Sequence, residues 1–179
     1  MHAVSREEKT NMKLTESGKP TYLGLLNTIS LAESRAYRYL TEWASITPDP
    51  EVREVLLKVA AREGEHGMAF AKRIDELGYH VRPKTEVGGE TPEDTAMDIV
   101  RSDRSDLEKL EALGLEKLDT GDEPDVFDGF FRDHTIDITT GELLGRYIAE
   151  ERDTARLLRG CYEQLRARAP APAEPVAAG

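Results

Sequence analysis

Apolar residues recur three and four positions apart along most of the chain, and polar clusters and prolines cut that pattern into segments. From Thr21, the series Leu26, Ile29, Ala36, Tyr37, Leu40, Trp43 and Ala44 predicts a first amphipathic helix that ends at Thr47-Pro48-Asp49-Pro50. A second series, Val52, Val55, Leu56, Val59, Phe70, Ile74 and Leu77, predicts one long helix from about Pro50 to Leu77. Asp49 suits its N-cap and Pro50 its first position, so the two helices should fold back on each other as a hairpin.

Residues 78–91 hold Gly78, Pro83, Gly88 and Gly89 and read as a long crossover to a helix that starts at Thr91-Pro92-Glu93-Asp94. That third helix should run from about 92 to 118, with Ala96, Ile99, Leu110 and Leu113 on one face and an overlapping stripe of Val100, Leu107 and Leu118. After a polar break at 119–125, a short helix over 126–132 should present Phe127, Phe130 and Phe131 to the core. Thr139-Thr140-Gly141-Glu142 reads as the capping box of a last long helix, which runs to about Arg166 on Leu143, Leu144, Tyr147, Ile148, Leu158, Cys161, Tyr162 and Leu165. The expected fold class is therefore all-α. Residues 20–168 form the helical unit, 1–19 a flexible arm, and 169–179 a Pro/Ala-rich disordered tail.

Four acids and bases interrupt the apolar stripes. Glu33 lies between Ile29 and Tyr37, Glu63 and His66 between Val59 and Phe70, and Glu151 midway between Leu144 and Leu158. A carboxylate facing apolar packing costs several kcal/mol, roughly, unless a counter-charge meets it, and a multivalent ion is one such partner. Glu33 and Glu63 stand about fourteen residues before and after the Pro-Asp-Pro bend, which puts them at one height in a hairpin. Leu25-Leu26 precede Glu33 by the same interval as Leu143-Leu144 precede Glu151, which favours Glu151 over Glu150 as the inward residue. The competing reading ties the same groups up with Arg35, Arg62 or Arg152 in a non-catalytic helical bundle that serves as an interaction or assembly module. Tyr37 and Tyr147 sit one turn from Glu33 and Glu151, within reach of a ligand.

The formal charge of −11 argues against nucleic acid or an anionic membrane as partner and suits cations. One cysteine, Cys161, excludes an internal disulfide framework, and the lack of any C-x-x-C pair excludes a rubredoxin-like module. With neither a long apolar run nor a signal-peptide pattern, the expected location is cytoplasmic.

Three helices that each bury a Glu, one of them in the Glu-x-x-His pair Glu63-Gly64-Glu65-His66, resemble the ferritin-like superfamily, in particular rubrerythrins and bacterioferritins, over about residues 21–166. The resemblance implies a four-helix bundle, up-down-down-up, with the long crossover between its second and third helices and a short helix before the fourth. It implies two iron or manganese ions that handle dioxygen, peroxide or ferrous iron. Glu63 would bridge them and Glu33, His66 and Glu151 would be outer ligands. A homodimer or higher homo-oligomer belongs to the same expectation, including one that completes the site across an interface. The second half departs from the pattern. Glu150-Glu151-Arg152-Asp153-Thr154 contains no histidine, so Glu150 with Asp153 is an alternative pair, and the third-helix ligand must come from Asp103, Asp106, Glu108 or Glu111.

Overall fold

A computed structural model describes residues 18–83, 92–118 and 126–169. Most of the expected arm and tail, much of the crossover and the 119–125 break lie outside them. The described residues are all-α: α1 (Leu23–Ile46), α2 (Pro50–Glu76), α3 (Pro92–Arg101), α4 (Asp106–Ala112) and α5 (Ile138–Arg168), with short 3-10 turns at Leu115–Lys117 and Val126–Arg132. Among these residues there is no strand, and no helix is long and apolar enough to cross a membrane.

The hairpin of α1 and α2 is the base of the fold. Asp49 accepts the backbone N–H groups of Glu51 and Val52 and so caps α2. At mid-height the two helices press together. Ser30 Oγ donates to the Gly67 carbonyl at 3.0 Å, and a Cβ on Gly67 would come within 2.7 Å of Ser34 Oγ. Helix α5 packs along α2 in the opposite sense.

The core has two apolar clusters. One lies at the bend of the hairpin and joins Leu40, Trp43, Leu56 and Val59 to Val100, Leu110 and Leu158. The other lies at the open end and joins Leu26, Ile29, Phe70 and Ile74 to Leu144 and Tyr147. Cys161 is packed in the first, and burial pushes its thiol up to about 11, so it behaves as a small hydrophobe. His80 and His134 are exposed.

Three expectations change. The third helix is not continuous over 92–118. Ser102 Oγ turns back to the Ile99 carbonyl, and Ser105 and Glu108 form a capping box that starts α4 afresh. The last helix is capped by Asp137, which accepts the Thr140 N–H, and not by the Thr139–Glu142 box. Asp137 also accepts from Tyr22 and Arg73, and although burial opposes its charge, these bonds hold its carboxyl well below the usual range. Phe127 and Phe130 do pack near Tyr147, but Phe131 is exposed, as is Tyr37.

Asp106 sits at the start of α4 and accepts from Trp43 Nε1 and from Thr47 Oγ1, each at 2.6 Å. Both donors belong to residues that are at most 1% exposed. Asp106→Ala strands these two donors, and the expected result is a loss of about 1–3 kcal/mol in denaturant unfolding.

Candidate metal centre

The polar interruptions meet where the two apolar clusters leave a gap. On α1 the packing passes from Ile29 to Leu40 across Glu33, on α2 from Val59 to Phe70 across Glu63 and His66, and on α5 from Ile148 to Leu158 across Glu151. Glu33, Glu63 and His66 are each about 5% exposed, and one ligand atom from each of these and from Glu151 lies within 4.8 Å of all the others. An ion with bonds of about 2.0–2.2 Å separates opposite ligands by roughly 4.4 Å, so small carboxylate rotations close a shell.

The free valences point inward. Glu33 Oε2, His66 Nδ1 and Glu151 Oε1 are buried and have no hydrogen-bond partner. His66 Nδ1 is 3.2 Å from Glu151 Oε1 and 3.9 Å from Glu33 Oε2, in ion-pair range but out of line for a hydrogen bond. Buried polar groups without a hydrogen bond are rare; a charged imidazole pairs these atoms loosely, and a metal cation among them would satisfy all three. Three carboxylates and an imidazole suit iron, manganese or zinc.

The other face of the imidazole is already fixed. Nε2 lies 2.7 Å from Glu150 Oε2, and Arg146 Nε holds Glu150 Oε1 at 2.9 Å. Glu150 is therefore the carboxylate that orients the ring and leaves Nδ1 to face the cluster, the usual arrangement around a metal-bound histidine. Tyr147 donates to Glu33 Oε1 at 2.9 Å and lies edge-on to the His66 and Phe70 rings.

The remaining sequence candidates lie elsewhere. Asp153 is paired with Arg62 and Arg156 at the surface. Asp103 is exposed, Asp106 serves Trp43 and Thr47, Glu108 closes its own capping box, and Glu111 accepts from Tyr162. Arg62 does not neutralise the cluster directly either. Its guanidinium donates to the Glu150 carbonyl, to Thr154 Oγ1 and to Asp153. The orienting role of Glu150 escaped the sequence reading, which favoured Glu151 as the inward member and held no signal for the contact of Glu150 with His66.

The charges in the cluster are interdependent. Burial raises Glu63, and the neighbouring Glu33 carboxylate raises it further, so Glu63 carries a proton. Burial also opposes charge on Glu33, but contacts with His66, Glu63 and Tyr147 prevail and hold it below its ordinary value. Burial works against a charged His66, yet Glu151, Glu33 and Glu150 raise it from 6.5 to about 10. Tyr39 and Tyr147 are pushed up by burial and by these carboxylates, so both keep their protons.

A pH dependence follows. The charged His66 stabilises the metal-free protein fully below its unfolded value of 6.5, and that contribution is lost as pH rises towards about 10. The melting temperature of the metal-free protein should fall across this window, less steeply in His66→Gln. An ion requires Nδ1 without its proton, so affinity for a divalent metal should rise over the same window, with proton release measurable by calorimetry in two buffers. No protein-family model, curated protein or solved structure matches the chain.

Proposed function

We propose that this protein is a ferritin-like metal protein in which Glu33, Glu63, His66 and Glu151 hold iron or manganese for reaction with dioxygen, peroxide or ferrous iron. The observation that carries the reading is the convergence of three buried ligand atoms that make no hydrogen bond, from three helices, on one point. Helices α1, α2 and α5 would be three rods of the bundle, with α3 and α4 together replacing the fourth.

Such an ion, when bound, supplies a one-electron couple or a Lewis acid inside the protein. The chain's own groups do the rest. Glu150 fixes the ring of His66, Tyr147 steadies Glu33, and apolar clusters pack above and below the ligands. Glu63, which shares its surroundings with Glu33, yields its proton when a cation arrives.

The two halves of the centre are unequal. Three residues after Glu151, where a second histidine would stand, the chain has Thr154, whose Oγ1 is taken by Arg62. One ion would therefore be held by His66 with carboxylates, and a second would have carboxylates alone.

Anaerobic titration with ferrous iron should show one tightly held equivalent and a second at least ~10-fold weaker, followed by an absorbance change when oxygen is admitted. Less than one tight equivalent with no oxidation kinetics overturns the proposal and leaves the non-catalytic bundle. Glu63→Gln mimics the protonated acid. It should change metal-free stability by less than about 1 kcal/mol while metal content drops to background.

A further inference from the structure

On the side of the cluster that neither His66 nor Tyr147 lines, a cavity of about 360 Å³ lies between α1, α2, α5 and the 3-10 turn at Leu115–Lys117. Small-molecule sites span about 300–1,000 Å³, so this one has room for a short chain or a single ring. Its walls are mainly apolar, from Ala36, Leu40, Val59, Leu115, Leu118 and Leu158. A site that admitted only dioxygen or hydrated ferrous iron would need neither this volume nor these walls.

The charged groups that line the cavity are of two kinds. Glu33, Glu63 and Glu151 form one end and are the ligand set itself. Arg35 is the cation among the described lining residues; it is half-buried, as is Glu151, whereas Glu33 and Glu63 are buried. Arg35 has no acidic partner among the described residues. A guanidinium beside apolar walls selects a carboxylate, which it can hold through two parallel hydrogen bonds.

We infer that the cavity binds an apolar organic acid, with its carboxylate on Arg35 and the far end of its chain against the metal ligands. Three acids at the inner end reject the opposite orientation. The inference rests on the metal reading and adds to it a substrate class, a medium-chain or aromatic monocarboxylate.

The test uses the full chain loaded with manganese, its metal content measured first, and octanoate as the probe, with octanol as the neutral control. Octanoate should bind saturably, and the manganese should broaden its terminal methyl resonance more than its α-methylene. Arg35→Gln should weaken octanoate at least ~10-fold and octanol less than ~2-fold, while Ala36→Phe, which fills the cavity, should block both with metal content unchanged. Failure to retain manganese, seen before any acid is added, overturns the metal reading. With metal retained, absence of saturable octanoate binding overturns the cavity inference alone. Equal binding of octanoate and octanol, or indifference to Arg35→Gln, overturns the acid class, and stronger broadening at the α-methylene overturns the orientation.

Discussion

Everything in this fold is arranged around a layer of charge placed where helices would otherwise pack on apolar side chains. Above it the core runs through Leu26, Phe70 and Leu144, below it through Leu40, Leu56 and Leu158, and at the layer itself each of the three long helices presents acid or imidazole. Such a layer interrupts burial of apolar surface, which is the main source of stability, and it sets carboxylates against one another. Protons relieve part of the conflict, through neutral Glu63 and charged His66. They leave three inward-facing atoms in ion-pair range of one another but without a hydrogen bond.

The close contact of α1 with α2 turns that layer into a compact site. Gly67 on one helix admits Ser30 and Ser34 of the other, while Gly64 lies against the Tyr37 ring. Larger residues at these points would spread the hairpin at the height of Glu33 and His66. The glycines of Glu63-Gly64-Glu65-His66-Gly67 thus act on the geometry of the ligands without touching them. The same approach puts Tyr37 on the outside of the hairpin, where it covers Gly64 and stays exposed.

The helices, their all-α class and the bend at Pro48–Pro50 were legible because hydrophobic periodicity and capping chemistry are local properties of the chain. The inward Glu33, Glu63, His66 and Glu151 were legible for the same reason, as polar residues at apolar positions. The third rod was misread because Val100 and Leu110 are both buried at helical spacing, which suggests continuity, although Ser105-Asp106-Leu107-Glu108 spells a fresh helix start. The partners of Asp106 and Glu150 were out of reach of a sequence pattern. Trp43 lies 63 positions from Asp106, and His66 lies 84 from Glu150.

Glu150 and Glu151 are neighbours on α5, about 100° apart around its axis, and they address opposite nitrogens of one imidazole. A turn of α5 in either sense lengthens one of these contacts as it shortens the other. The ring of His66 therefore works as a gauge of that helix's roll, and whatever grips α5 elsewhere, including the Asp137 clasp on Tyr22 and Arg73, is geared to the spacing of the ligands some four turns away.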